Sequence, residues 1–386
     1  MKTQKNFLNE RFPNQKSPAE VGMNLGEVDT PALLVDLDAF ESNMDRMANE
    51  TATHGVRLRP HAKTHKCAVI ALQQISRGAV GMCCQKVSEA EALIHNGIND
   101  VFVTNEVVDR RKLERLASLA TEASVAICVD HLDNVDLLGE TANNFDVRID
   151  VLIEVDVGGN RCGVSPGEAV LFLADRIASF RSLRFRGVQA YQGRAQHIRA
   201  HSERKKAIEQ SSLATQSAVE MLTRQGFACD VIAGGGTGTC EFEMASGMYN
   251  EVQPGSYIFM DVDYSNNESS NSLEDPKYRQ SLFVCTQVMS VPNRSYAVVD
   301  AGLKALSFDS GMPLVADLSN VSYHRPSDEH GVLETSKISE RLRLGAKLKL
   351  IPGHCDPTVN LYDWLVAFRG DRVEGLWPVV GRGALS

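Results

Sequence analysis

The sequence predicts an α/β chain: a (β/α)8 TIM-type barrel followed by a second, C-terminal all-β domain. Three observations carry that reading. Eight short apolar, β-branched segments recur between Val56 and Gln253. Amphipathic stretches of helical length separate most of them. Past residue 266 the pattern changes to strand-like segments with no helices between. An open doubly wound sheet is the competing architecture for the first part, but it reverses after fewer repeats.

Taken in order, residues 1–27 are polar and contain prolines, which reads as an irregular arm. The strand segments are Val56–Arg59, Val80–Cys84, Val101–Val103, Val125–Val129, Val151–Val155, Phe185–Ala190, Val231–Ala233 and Val252–Gln253. Helices are expected at Ser88–His95, Arg110–Ala120, Asn134–Thr141, Ser165–Ile177 and Ser202–Arg224. Eight strands alternating with helices is the grammar of a parallel barrel, placed here at residues 28–266. The polar run Asn266–Ser272 leads into a β domain at 267–386, joined by the arm 1–27. Its strands are expected at Leu282–Met289, Ser295–Asp300, Arg343–Leu350, Trp364–Arg369 and Arg372–Val379, with a hairpin turn at Arg369-Gly370-Asp371-Arg372.

Composition bounds the function class. The 386 residues are 43% hydrophobic and 23% charged, ordinary for a chain with a large core. Collagen-like, disordered and small disulfide-scaffold classes are excluded. Forty Lys+Arg against 49 Asp+Glu give a net charge of −9, which lacks the basic footprint that a nucleic acid or anionic membrane needs. Nine cysteines with no C-x-x-C pair, several inside apolar runs, suit buried thiols in a reducing compartment. The N-terminus has no apolar signal core, and no run of ~18 apolar residues occurs. A cytoplasmic setting is expected, and the charge balance says little about small ligands.

Three constellations can carry chemistry. His61-Ala62-Lys63-Thr64-His65 ends the first barrel strand, and in an extended chain its His, Lys and His share one side. Barrel chemistry gathers at the C-terminal ends of strands. A partly desolvated Lys63 among cations gives up its proton easily, as a Schiff base requires. The same string also suits a solvated basic turn. Gly234-Gly235-Gly236-Thr237-Gly238, after strand seven, and Gly255-Ser256, after strand eight, can converge backbone N–H groups on an anion. Phosphate sites of barrels recur at those two loops; a pair of tight turns is the alternative. Neither a dinucleotide fingerprint nor a P-loop fits the spacing. In Gly353-His354-Cys355-Asp356-Pro357, the residue before proline is biased to extended geometry, so His354 and Asp356 are expected on one side. One imidazole and one carboxylate suit Mn²⁺, Mg²⁺ or Zn²⁺, although a surface turn reads the same way. Arg161, Tyr191 and Gln196-His197 each lie just past a strand end, and Asp328-Glu329-His330-Gly331 reads as a surface feature of the β domain.

As an ordered set these segments, with Asp29-Thr30-Pro31-Ala32, Cys83–Ala90, Thr104–Val107 and Val299–Gly302, span the chain from about residue 28. The set resembles the D-threonine aldolase and 3-hydroxy-D-aspartate aldolase family of fold-type III pyridoxal 5'-phosphate (PLP) enzymes. That family is allied to D-serine dehydratase and, more distantly, to alanine racemase. The resemblance implies that Lys63 carries PLP as a Schiff base. It implies that Gln85, Thr237, Gly238, Gly255, Ser256 and Tyr264 hold the cofactor, and that Arg161 and Tyr191 lie against its ring. It further implies that His354 and Asp356 bind a divalent metal (Mn²⁺ or Mg²⁺, or Zn²⁺), that His197 is the catalytic base, and that the enzyme is a homodimer. Gln192 departs from the histidine of some D-threonine aldolases and matches the glutamine of some 3-hydroxyaspartate aldolases, leaving the preferred side chain open.

The reaction so implied is retro-aldol cleavage of a β-hydroxy-D-amino acid to glycine and an aldehyde. The metal lowers the pKa of the β-hydroxyl, His197 takes its proton, and the broken Cα–Cβ bond leaves its electrons in the PLP ring. The aldehyde is acetaldehyde from D-threonine or glyoxylate from 3-hydroxyaspartate. Dehydratase-type β-elimination is the alternative on this scaffold, but those relatives place a cysteine where Asp356 stands.

Overall fold

The computed structural model describes residues 17–270, 277–339 and 341–386. The chain divides into two units, each gathered from separated stretches. One holds the described residues up to Ser42 with Ile258–Asp263 and Tyr278–Arg382, beginning its sheet with strand β1 (Ala32–Asp36). The other holds Asn43–Tyr257, the described part of Tyr264–Lys277, and Gly383–Ser386.

The second of these is the barrel. Its eight parallel strands are β2 (Arg57–Leu58), β3 (Met82–Cys84), β4 (Asp100–Glu106), β5 (Ser124–Val129), β6 (Ile149–Glu154), β7 (Leu183–Gln189), β8 (Val231–Gly234) and β9 (Glu251–Val252). They pair in the order β2-β9-β8-β7-β6-β5-β4-β3. His61 bridges Cys83 in parallel, and the Cys83 N–H donates to the Pro60 carbonyl at 2.8 Å, which closes the ring. All eight predicted strands are present.

The alternation of side chains along a strand explains why these runs are apolar throughout. Val101, Val103, Ile127, Val129, Val151 and Ile153 pack in one core with helix residues Leu113, Leu116 and Leu138. Between them in sequence, Phe102, Cys128 and Leu152 join Cys83 and Ala233 in a separate cluster. All nine cysteines are free, and burial raises the thiol pKa of Cys83 and Cys128 well above the ordinary value. Helices Val87–Ile94, Arg110–Leu119, Leu132–Asn144, Glu168–Ala178 and His201–Arg224 follow their strands. Arg110–Leu119 is typical: the Asp109 carboxylate caps the Lys112 N–H, and the buried residues recur three and four apart. Where β7 runs closest to β8, Gly187 is required, because a Cβ there would meet the Val231 carbonyl oxygen at 2.0 Å.

The remaining strands are β10 (Leu282–Ser290), β11 (Tyr296–Val299), β12 (Leu314–Val315), β13 (Ser322–Pro326), β14 (Gly331–Glu334), β15 (Lys347–Ile351), β16 (Trp364–Arg369) and β17 (Arg372–Pro378). Their sheet runs β11-β14-β13-β12-β15-β10-β1-β16-β17, and β11 also pairs with β10. The predicted hairpin is present, with Arg369 opposite Arg372 and Gly370 at φ +58°.

One expectation is corrected. Ala32–Asp36 falls inside the span assigned to the barrel, yet it pairs antiparallel with β10 (Leu34 opposite Phe283) and parallel with β16 (Leu34 opposite Val366). An apolar run buried on both faces fits either sheet. Its partners, distant in sequence, decide which.

Candidate active site

A cavity of about 520 Å³ opens among the loops that follow the barrel strands. Lys63, Gln85, Arg161, Tyr191, His197, Thr237, Gly255, Ser256 and Tyr264, all singled out from the sequence, line it. Gly238 does not, and its N–H is engaged by Gln196 Oε1 at 2.9 Å. His354 and Asp356 belong to the other unit.

The loop after β2 is not the extended strip expected for His61, Lys63 and His65. Ala62–Thr64 forms a single 3₁₀ turn, with His61 as its N-cap. The His61 Nδ1 accepts the Lys63 N–H at 3.3 Å, an intraloop bond that bends the chain. Lys63 is half-buried, while Thr64 and His65 are fully buried. Three residues past Lys63, Lys66 adopts φ +49° and forms a buried ion pair with Glu89 at 2.6 Å. The other Glu89 oxygen accepts the N–H groups of Gln85 and Lys86 at 2.8 and 3.2 Å. That carboxylate therefore ties the turn carrying Lys63 to the loop carrying Gln85. Gln85 Nε2 in turn lies 3.0 Å from His61 Nε2 and 3.1 Å from Thr104 Oγ1.

The glycine loops after β8 and β9 are joined where the Tyr257 N–H donates to Thr237 Oγ1 at 3.0 Å. A Cβ at Gly255 would lie 2.5 Å from Thr64 Oγ1, and one at Gly236 would lie 2.5 Å from Gln196 Oε1, so neither position admits a side chain. The N–H groups of Thr237 and Gly255 meet no acceptor among the described residues. The Thr64 hydroxyl is buried and likewise without a hydrogen-bond partner there. Open donors beside a half-buried amine fit a phosphate-bearing aldehyde such as PLP.

Sequence reading passed over several lining groups. Glu154 ends β6 and is 4% exposed. Its Oε1 lies 3.5 Å from Arg161 Nη2, and the Arg161 guanidinium lies 5.5 Å from the Tyr191 ring centroid. Burial, reinforced by the charge of Glu106 and opposed by Arg161, pushes the Glu154 carboxyl up to about 8. Gln189 and Gln253 bond reciprocally, at 2.8 and 3.1 Å. Their one sequence signal is a glutamine directly after a buried valine, Val188 or Val252, at the end of a strand segment. His197 stands at the end of the 3₁₀ turn Arg194–His197, its ring 6.0 Å from that of Tyr264.

In the β-strand unit, His354 is extended (φ −142°, ψ 124°) and caps the helix Cys355–Val359. Asp356 is thus helical and not extended as expected, because Pro357 sits in a first turn where no N–H donor is needed. His354 Nδ1 lies 2.7 Å from Asp309 Oδ2, which leaves Nε2 as the nitrogen available to a ligand. Asp356 is half-buried. No group of three or more His, Cys, Asp or Glu residues suited to a metal occurs among the described residues. A lone imidazole–carboxylate pair fits an ion that keeps several waters, as Mg²⁺ and Mn²⁺ do, and not a closed structural site. Glu329 pairs with Lys304 at the surface, at 2.5 Å.

Comparison with known proteins sharpens this chemistry. Residues 35–263 match the alanine racemase N-terminal domain model, and residues 281–368 match the putative serine dehydratase domain. The chain is 45% identical over 370 residues to the 3-hydroxy-D-aspartate aldolase of Paracoccus denitrificans (strain Pd 1222), covering 95% of each. It is 44% identical over 366 residues to the D-threonine aldolase of Arthrobacter sp., covering 95% of this chain and 96% of that one. The crystal structure of D-threonine aldolase from Filomicrobium marinum matches with a TM-score of 0.93 and 46% identity, covering 96% of this chain and all of that one. The D-threo-3-hydroxyaspartate dehydratase of Delftia sp. (strain HT23) is more distant, at 27% identity over 91% of this chain and 97% of that one.

Proposed function

The chain belongs to the D-threonine and 3-hydroxy-D-aspartate aldolase family, PLP enzymes built on the alanine racemase N-terminal domain, and from that premise we propose how its residues divide the work. It is a carbon–carbon lyase that cleaves a β-hydroxy-D-amino acid to glycine and an aldehyde. What supports the assignment of roles is one observation above all: Lys63 and the open N–H groups of Thr237 and Gly255 line the same cavity.

When bound, PLP supplies an electron sink for the pair released from the Cα–Cβ bond, and a divalent metal supplies Lewis acidity at the β-hydroxyl. Lys63 is the covalent anchor for the cofactor's aldehyde. Thr237, Gly255 and Ser256 hold its phosphate, with Gly238 keeping that loop in place through Gln196. Gln85, Arg161, Tyr191 and Tyr264 fix the ring's position. His197 accepts the proton of the β-hydroxyl, the step that lets the carbonyl of the aldehyde form. His354 and Asp356 hold the metal, and Asp309 orients His354.

The family resemblance extends the proposal to manganese as the working metal, a homodimer and a cytoplasmic setting. Among the described residues no helix is long and apolar enough to cross a membrane. The β-elimination reading has weaker support, since the dehydratase relative is the more distant one. Product analysis separates the two. Incubation of the PLP- and Mn²⁺-loaded protein with D-threonine should yield glycine and acetaldehyde; ammonia and a keto acid would overturn the aldolase reading.

A further inference from the structure

His197 and Arg194 close the two ends of one 3₁₀ turn, three residues apart. A 3₁₀ helix has three residues per turn, so side chains at that spacing eclipse on one face. Both line the cavity, whereas Ala195 and Gln196, between them, are buried. The turn is anchored: Gln196 Nε2 donates to Thr239 Oγ1 at 2.7 Å and Gln196 Oε1 accepts the Gly238 N–H.

The charged groups of the cavity wall differ in what they already hold. Arg161 has Glu154 beside it at 3.5 Å. Asp156 Oδ1 accepts the N–H groups of Gly158 and Asn160, at 2.9 and 3.1 Å. Lys63 is assigned to the cofactor. Arg194 contributes its backbone N–H to Gln192 Oε1 at 3.2 Å, and its guanidinium meets no carboxylate or other acceptor among the described residues. It is a planar fork of donors, always charged, facing a cavity that must receive an amino acid.

We infer that Arg194 recognises an acidic group carried on Cβ of the substrate, so that the chain prefers a β-hydroxy-D-amino acid with a side-chain carboxylate and releases an aldehyde bearing that acid. The inference rests on the aldolase reading and on His197 as the group that meets the β-hydroxyl. A side chain eclipsed with His197 meets the other substituent of the same carbon, while the α-carboxylate sits one bond further on. Relatives named for either substrate are equally close to this chain, so similarity alone does not choose.

The test uses the PLP- and Mn²⁺-loaded protein with D-3-hydroxyaspartate and D-threonine, in the native chain, Arg194→Met and Arg194→Lys. The native chain should favour hydroxyaspartate in kcat/KM. Loss of a charge-assisted carboxylate contact lowers kcat/KM for hydroxyaspartate about 10- to 150-fold in Arg194→Met, chiefly through KM. D-threonine turnover should change by less than about threefold, and Arg194→Lys should restore part of the loss, as a charge without the bidentate fork. Equal loss on both substrates would place Arg194 on the shared α-carboxylate and overturn the inference, as would no loss on either. A binding arm separates this from failure of the aldolase reading. D-aspartate should bind the native chain more tightly than D-2-aminobutyrate, and Arg194→Met should abolish that difference, whether or not either hydroxy acid is cleaved. Equal binding of the two in the native chain overturns the inference by itself.

Discussion

Glu243 lies on the short helix Cys240–Ala245 behind the glycine loop and is 1% exposed. Its Oε1 accepts the Thr239 hydroxyl at 2.9 Å, while Oε2 is buried with no partner among the described residues. Burial pushes the carboxyl from 4.5 up to about 7, even though the Thr239 bond pulls it down. The folded chain therefore keeps a proton that the unfolded chain releases. Stability from this site is fully present below about pH 4.5 and is lost as the pH rises through about 7. An interval of that width, at about 1.36 kcal/mol per pH unit, amounts to roughly 3 kcal/mol. Glu243→Gln keeps the shape and cannot ionise. It should be about 3 kcal/mol more stable than the native chain at pH 8.5 and within about 0.5 kcal/mol of it near pH 4.5. Urea midpoints of the two proteins across that range, followed by hydrogen exchange of the amides of Cys240–Ala245, measure the difference; comparing the pair cancels every other titrating group. A gain of equal size at both ends of the range would show that Glu243 is already ionised in the fold. No gain at high pH would show that its buried oxygen is solvated.

Three other perturbations follow from the site. Lys63→Ala should abolish both turnover and the visible absorbance of bound PLP; a band that persisted in the spectrum would put the covalent link on another amine. Asp309→Asn should weaken Mn²⁺ binding about 10- to 100-fold, as loss of an outer-sphere carboxylate does, measured by metal titration of the chelator-treated protein. Unchanged affinity would remove Asp309 from the metal's surroundings. Glu89→Ala leaves the Lys66 ammonium buried without its carboxylate, costing about 3–5 kcal/mol. Its loss should also loosen both loops it ties, so PLP affinity should fall with stability, whereas native PLP affinity in a destabilised protein would show that the tie does not position the site.

What could be read from the sequence was local, and what could not was a matter of partners. The barrel strands are legible because Val101, Phe102 and Val103 alternate between two buried surfaces, which makes the whole run apolar. The same signature in Ala32–Val35 gives no hint of its sheet, because Phe283 and Val366 lie far away in the sequence. Lys63 is conspicuous among histidines. The His61 imidazole that curls its backbone into a 3₁₀ turn is not, since a side chain capping its own loop leaves no periodic trace. Asp356 looked extended from its proline neighbour, a bias that the first turn of a helix overrides.

Glu154 shows the limit most clearly. Within Ile149–Glu154 it is one acid where a strand leaves the core, and a solvated exit is the ordinary reading of such a residue. Its character comes from Glu106, two strands earlier, and from Arg161, in the loop that follows. Loss of solvent at the strand end does most to favour the neutral form of Glu154, the Glu106 charge adds to it, and Arg161 opposes it. Arg194 is hidden for a related reason. Its spacing from His197 would put the two on opposite faces of a strand and merely near one another on an α-helix, and they eclipse only when the loop closes as a 3₁₀ turn. The residues that anchor a cofactor announce themselves by type and motif. Those that set its surroundings are chosen by geometry, and it is there that closely related aldolases can come to differ in what they cleave.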